Sequence, residues 1–544
     1  MHKEKKSKIL RWSSLFLLLL VLLAVVLAVT LRRRATKGSS DSDHQATTAI
    51  SKFITSACQH TLYPLTCESS LLGSALAEPE SSQLLDLSFR VALDKVDQVH
   101  SLARNLSQDA QVSGRFPSSS ALDDCVELLH DTTEQLTDSA NRKNTAAKDD
   151  VRTWLSAALT NLDTCIDGIN DLKLDPSTGD KMKPTTANLS HYISNSLALY
   201  EFFTPGPGRR LIGAGDDFPT WVNRKLLEAP VGQLKPDVVV AKDGTGACDT
   251  VGKAVAMAKG GEARFVIYVK EGVYRENVVV KRSQTNVLLV GDGKGKTIIV
   301  GSRSVGSGFT TFRSATFAVS GSGFVARDIA FVNDAGPESG QGVALQVSSD
   351  KSAIFRCSIV GQQDSLYAHT SRQFYRETDI HGTVDFIFGN AVAVFQNCDI
   401  LPKKPLSGHK VTVTAQSRSD PNQNTGFTIQ NCRVAPDPDS APAKAFLGRP
   451  WKEYSRVVVM QSQLDGFVDP AGWMEWSGDF ALKTLFYAEY MNSGGGAGTS
   501  GRVTWPGYHA SLTEAEATKF TVGEFLAGTS WLPNTEVAFY PGLL

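Results

Sequence analysis

The chain has 544 residues, enough for two or three domains and a sizeable core, and a formal net charge of −1. That balance argues against a nucleic-acid partner, but the charge is unevenly spread: residues 1–34 carry +7, residues 35–227 about −8, and residues 228–544 sum to zero. A neutral C-terminal part exerts no global field on a polyanion, so such a ligand would be held there by local contacts.

Residues 12–31 (WSSLFLLLLVLLAVVLAVTL) are uncharged over 20 positions, long enough to cross a bilayer. Five basic residues precede the run, and Arg32, Arg33 and Arg34 follow it. With no small-residue cleavage site between the run and those arginines, a signal anchor with a cytoplasmic tail is expected over 1–34, the remainder being lumenal. Eight cysteines fall into an N-terminal group (Cys58, Cys67, Cys125, Cys165) and a C-terminal group (Cys248, Cys357, Cys398, Cys432). No CxxC pair or histidine cluster has metal-ligand spacing, so no metal is expected and disulfides are the natural use in a secretory chain. The sequons at Asn105 and Asn188 make these candidate glycosylation sites.

Residues 50–203 read as helical. Apolar residues recur at three and four in 84–106 (Leu85, Phe89, Ala92, Val96, Val99, Leu102), and similar stripes run through 121–136 and 151–166. Such one-sided stripes with short loops predict a four-helix bundle, with nothing catalytic in it. Residues 204–230, rich in proline, glycine and paired acids, read as a linker with two dibasic motifs: Arg209-Arg210 in RRLI, and Arg224-Lys225-Leu226-Leu227. Exposed motifs of this kind invite proteolytic processing.

From residue 231 short β-rich runs recur. Their closing apolar residues Ile329, Ile359, Ile380, Ile400, Val434 and Leu464 are separated by 30, 21, 20, 34 and 30 positions. Repeats that bury an apolar face only against their neighbours, with longer intervals where loops are inserted, predict a parallel β-solenoid. Within it Asp364 (GQQDSLY) and Asp385 (GTVDFIFG) are 21 residues apart, and Gln341 (QGVAL) lies 23 before the first. Residues one coil apart stack about 4.8 Å from each other. The spacing therefore predicts a column of Gln341, Asp364 and Asp385 on one face. Two carboxyls that close have their pKa values driven apart, giving an acid beside a nucleophile or base. A lone aspartate in a glycine-containing segment would more simply be a turn residue.

Other patterns fail. GDGKGKT (291–297) has Val290 where a phosphate loop needs its first glycine, and no GxSxG elbow occurs. The segments GVYRE (272–276), QGVAL (341–345), GQQDSLY (361–367), GTVDFIFG (382–389) and LGRPW (447–451) resemble, in order, the five signature segments of plant pectin methylesterases. The cysteine pattern of Cys58–Cys67 resembles that of the pectin methylesterase inhibitor family, which often precedes the enzyme as a pro-region. RKLL is similar to the processing motif between the two.

The resemblance implies a right-handed parallel β-helix over 231–544, without cofactor, that removes methyl esters from homogalacturonan (pectin). Carried over by position, Asp385 becomes the nucleophile and Asp364 the proton donor and acceptor. Gln341 and Gln363 become oxyanion donors, and Arg449 orients Asp385 and substrate. Trp451, Trp473, Phe388 and Tyr367 would line the cleft. The expected disulfides are Cys58–Cys67 and Cys125–Cys165 in the bundle and Cys398–Cys432 between neighbouring coils, with Cys357 left unpaired because position 378 is Thr. The implied partners are pectin, a subtilisin-like processing protease and free inhibitor proteins of the same family. A membrane-anchored Golgi precursor, held inactive by its bundle, would release a monomeric enzyme to the cell wall. Gln362 and Ser365 depart from the family's usual GYQDTLY, and QGVAL from its QAVAL. These leave the catalytic groups intact but bear on substrate preference. The alternatives are a pectin-binding β-helix without turnover and an inhibitor acting in trans. A lyase would need an acidic calcium site that the sequence lacks.

Overall fold

The recurring polar residue just before each closing apolar segment is a corner. Asp328, Arg356, Glu377, Asn397, Asn431 and Gln461, and the apolar Met491 at the equivalent place in the last coil, all adopt left-handed backbone conformations, with φ between 50° and 58°. Each costs about 1–2 kcal/mol for a residue with a Cβ, which the ladders on both sides over-determine. The strand before each corner belongs to an 11-stranded sheet, and for all but the last corner the strand after it belongs to an 8-stranded sheet. A third, 7-stranded sheet closes the coil, and every strand pairing within the three sheets is parallel among the described residues. This computed structural model describes residues 2–72, 80–114, 116–144, 146–174, 176–204 and 235–544. They fall into two compact units, Met1–Ser88 and Phe89–Leu544.

The coils form the parallel β-solenoid expected from the repeat, a right-handed parallel β-helix as the resemblance implies. Ile359, Ile380, Ile400, Val434 and Leu464 stack in one register column, all fully buried. Ile329 is buried too but stands next to its corner, and Phe331 takes its place over Ile359. The residues just past the corners, Cys357, Thr378, Cys398 and Cys432, are buried and joined coil to coil by backbone bonds from the residues that follow them. Here one expectation fails. Cys398 and Cys432 do meet, the Cys398 N–H donating to Cys432 Sγ at 3.3 Å, but both are free thiols. Their proximity is that of any two residues one coil apart, and adjacency in a ladder does not itself make a bond. Cys248 and Cys357 are also free, whereas Cys58–Cys67 and Cys125–Cys165 are disulfides as expected.

In the unit Met1–Ser88, α1 (His2–Cys58) and α2 (Pro64–Leu72) are joined by the first disulfide. Among the described residues no helix is long and apolar enough to cross a membrane, so the anchor expected over 12–31 is not supported. Helices α3 (Ser81–Val112), α4 (Phe116–Arg142), α5 (Lys148–Asp171) and α6 (Pro176–Phe203) follow. From Phe89 onward these belong to the same compact unit as the β-helix.

Helix α5 explains that union. Its apolar stripe (Leu155, Ala158, Leu162, Cys165) is buried, but so are Thr153, Ser156, Thr160 and Thr164 on another face. These small polar side chains meet the β-helix. Asn424 Nδ2 donates to Thr153 Oγ1 (3.0 Å), Gln423 Nε2 to the Ser156 carbonyl (3.0 Å), and Asn390 Nδ2 to Thr160 Oγ1 (2.9 Å), while Thr164 Oγ1 bonds His369 Nε2 (2.8 Å). The linker motifs Arg209-Arg210 and Arg224–Leu227 lie outside the described residues.

Candidate active site

The 21-residue register that pairs Leu366 with Ile387 and Tyr367 with Phe388 sets Asp364 over Asp385 on the next coil. The Asp364 N–H donates to the Val384 carbonyl at 3.1 Å. Both aspartates are left-handed, with φ of 64° and 52°, a conformation aspartate tolerates better than most residues. Both aspartates are therefore turn residues, and the turns also bring their carboxyls onto adjacent coils. Motif glycines hold the turns tight. A Cβ on Gly382 would lie 2.2 Å from Phe386 Cβ, and one on Gly389 (φ 116°) would lie 2.2 Å from the Ala368 carbonyl oxygen.

Gln341 bridges to Gln363, not to Asp364. The predicted column is thus shifted by one residue at its first member, so that two glutamines sit side by side beside two stacked aspartates. Asp385 is gripped on three sides. Arg449 donates from Nε to Oδ1 (2.8 Å) and from Nη2 to Oδ2 (2.6 Å), the fork geometry that fixes a carboxylate's plane. The Thr412 hydroxyl donates to Oδ1 at 2.6 Å, and the Asp385 N–H donates back to Thr412 Oγ1 at 2.9 Å. Oδ1 thus accepts two bonds and Oδ2 one. Sequence reading missed Thr412, which sits in VTVTAQ, an ordinary-looking strand.

Burial raises the pKa of Asp364 well above the usual carboxylate range, and the charges of Asp385 and Asp171 push it the same way against the pull of Arg449. Its proton is therefore held more tightly than that of an ordinary carboxyl.

Around the dyad lies a cavity of about 320 Å³. Gln341, Gln363, Tyr367, Phe388, Arg449 and Trp451 all line it as expected. Tyr367 stacks on Phe388 at 4.2 Å between centroids, and Phe388 meets Trp451 at 5.9 Å. Trp473 does not line it. That ring is 1 % exposed, packed at 4.3 Å on Tyr487 in the β-helix core, because its register next to Gly448 turns it inward. Trp476, three residues on, takes the place at the cavity, under the Arg449 guanidinium at 4.4 Å. The remaining wall is α5, through Thr164, Asp167, Gly168, Asn170 and Asp171. The Thr311 N–H donates to Asp171 (2.9 Å) and Lys452 Nζ to Asp167 (3.0 Å). His369, bonded by Thr164 and by Ser348 (2.8 Å), is pushed down to about 3 by burial and stays neutral.

Residues 237–529 match the pectinesterase family, and residues 52–199 the plant invertase/pectin methylesterase inhibitor family. The probable pectinesterase/pectinesterase inhibitor 16 of Arabidopsis thaliana is 51% identical over 453 residues, 81% of this chain and 86% of that protein. Pectinesterase 2 of Citrus sinensis is 46% identical over 500 residues, 90% of this chain and 95% of that protein. The solved pectin methylesterase from carrot is 53% identical with a TM-score of 0.56, covering 57% of this chain and 99% of its own.

Proposed function

Because this chain belongs to the pectinesterase family, a carboxylic ester hydrolase preceded by an inhibitor-like domain, we propose that it releases methanol from homogalacturonan through an acyl intermediate on Asp385. The observation that carries this reading is one carboxyl gripped by Arg449 one coil from another that burial pushes toward its protonated form. A nucleophile and a proton donor stand one coil apart, with no serine between them.

Asp385 attacks the C6 carbonyl carbon of a methyl ester through Oδ2, the oxygen with fewer hydrogen bonds. Gln341 and Gln363 donate to the oxyanion. The bond to methoxide breaks as Asp364 gives its proton to the leaving oxygen, and methanol departs. Asp364, now a carboxylate, takes a proton from water, whose oxygen attacks C6 of the mixed anhydride. The C6–Asp385 bond breaks, leaving the starting enzyme and galacturonic acid, which loses its remaining proton to solvent. Tyr367, Phe388, Trp451 and Trp476 offer flat faces to the sugars.

The bundle restrains this site in the uncut chain, since α5 forms one wall of the cavity. Cleavage by a subtilisin-like protease in 204–230, after Arg209-Arg210 or Arg224–Leu227, would free a monomeric enzyme to act in the cell wall, where free inhibitor proteins of the same family are potential partners. The exposed Asn105 and Asn188 are glycan acceptors on the bundle, upstream of the cut. Asp385→Asn and Asp364→Asn test the mechanism: each should lower methanol release from pectin by about 10³ or more, the scale of losing a catalytic group. Retention of more than about a tenth of the activity by either variant, with its circular dichroism unchanged, would falsify these roles.

A further inference from the structure

A second cavity, of about 540 Å³, lies between the start of α5 and the corner where the 7-stranded sheet gives way to the 11-stranded one. Asp149 and Arg152 of α5 form one wall. Opposite them stand Arg418, just past the strand Val411–Gln416, and Arg456 and Phe486, which open two paired strands of the 11-stranded sheet. Lys519 and Phe520 close it from the C-terminal segment. This cavity shares no lining residue with the one around the aspartates. Along α5, Arg152 here and Asp167 there are 15 positions apart, about 22 Å at 1.5 Å per residue.

Its cations outnumber its acids. Asp149 is the one acid on the wall among the described residues, and it is turned onto Arg152 at 3.4 Å, which Glu201 also meets. Arg418 spends its guanidinium on backbone carbonyls, those of Gln423 (3.0 Å), Tyr454 (3.3 Å) and Pro421. The acid acting on it, Asp420, is held by the Ser194 hydroxyl and the Asn422 N–H. Arg456 has less still. Among the described residues no hydrogen bond or salt bridge engages its guanidinium, and the one charge acting on it is that of Arg152, of its own sign. Burial and that neighbour lower Arg456 to about 10. Gly426, on the adjoining strand, makes room for its stem: a Cβ there would lie 3.0 Å from Arg456 Cδ. Lys519 is exposed, and Glu516, one turn back, is already committed to the N–H and hydroxyl of Thr513, both at 2.8 Å.

A half-buried charge left unmatched is costly, and Arg456 and Lys519 present two such charges to one cavity. About two negative charges are needed to answer them, which a phosphate group carries at neutral pH and a single carboxylate does not. We propose that this cavity is a binding site for a phosphate group, with Arg456 and Lys519 as its charge partners. Free phosphate and a phosphate ester share that chemistry, and the rings of Tyr454, Phe486 and Phe520 on the wall give the body of an ester an apolar surface to rest on. A bound dianion offsets the repulsion between Arg152 on α5 and Arg456 on the β-helix, so occupancy favours the packed form of the chain. The site stands apart from the ester chemistry and does not depend on it.

The test uses the uncut chain, titrated calorimetrically with inorganic phosphate and separately with glucose 6-phosphate, against chloride at matched ionic strength. One site with a Kd of about 1 mM or tighter is expected for at least one of them, and the tighter of the two identifies the source. The thermal midpoint should climb with the concentration of the bound species. Arg456→Met keeps the stem over Gly426 and should weaken binding at least about tenfold, and Lys519→Met several-fold, while Arg456→Lys retains part of the affinity. Without phosphate the Arg456→Met chain should melt no lower than wild type, because the charge it loses had no partner. A lower midpoint would mark Arg456 as structural support and overturn the proposal. So would the absence of binding by both species beyond the chloride blank, or an affinity unchanged in both methionine variants.

Discussion

Raising the pH should loosen the bundle from the β-helix. Asp124 is 1 % exposed, and burial raises its pKa from 3.8 to about 6 against the opposing pull of Arg313 and Thr310. The same pair holds Arg313 more firmly charged, so the ion pair is real but does not recover the whole cost of burying Asp124. Burial likewise raises Asp163 to about 6, against Lys452 and Ser419 and with Asp167 and Asp420 adding to the rise. When the pieces separate, these carboxyls return to water and to values near 3.8. The sign follows. A carboxyl with a higher pKa in the packed state takes up a proton on packing, so association is strongest at low pH and weakens as pH rises through about 6. For Asp124 alone, a shift from 3.8 to about 6 corresponds to about 3 kcal/mol, roughly a hundredfold in Kd. Asp163 shares its surroundings with Asp167 and Asp420, so the two shifts should not simply add. With the linker cut and the pieces titrated by calorimetry, Kd should rise at least about tenfold between about pH 4.5 and about pH 7. Association near pH 5 should take up protons, and Asp124→Asn should remove about one of them. A Kd that is constant or tighter at the higher pH would refute the linkage.

Two further outcomes follow from the site. Thr412→Val removes the hydroxyl that bonds Asp385 Oδ1 at 2.6 Å and receives the Asp385 N–H. It should lower kcat by about ten- to a hundredfold with KM little changed, while Thr412→Ser keeps most of the rate; equal kcat in the valine variant and wild type would remove Thr412 from the mechanism. The two tryptophans should separate cleanly. Trp473→Ala, in the core, should cost about 3–5 kcal/mol of stability, whereas Trp476→Ala, at the cavity, should raise KM and leave the thermal midpoint within a few degrees, and the reverse assignment would contradict the packing seen.

Asp364 and Asp385 were legible because a coil has a nearly fixed length, so a 21-residue spacing becomes a stacked pair. The same logic misplaced Gln341 by one position: it lies in a bridge ahead of its strand, where the ladder no longer enforces the count. Trp473 and Trp476 could not be told apart, because which one faces inward depends on register next to Gly448, in the preceding coil. Thr412 gave no signal at all, since a buried strand threonine and a positioning threonine have the same flanks.

The larger omission concerns α5. Of its stripe Trp154, Leu155, Ala158, Leu162 and Cys165, all are core except Trp154, which is half-buried. Asp163, Asp167 and Asp171, at i, i+4 and i+8, look like an ordinary solvated face, and sequence cannot say otherwise, because their partners Ser419, Lys452 and Thr311 are all more than a hundred residues away. What separates a solvated acidic face from an occluding one is the charge state of the surface it meets. Among the described residues, Arg313 and Lys452 draw all their carboxylate contacts from the bundle, and a neutral β-helix with cations left unmatched at its cleft is incomplete until an anion arrives. In the uncut chain that anion is a helix.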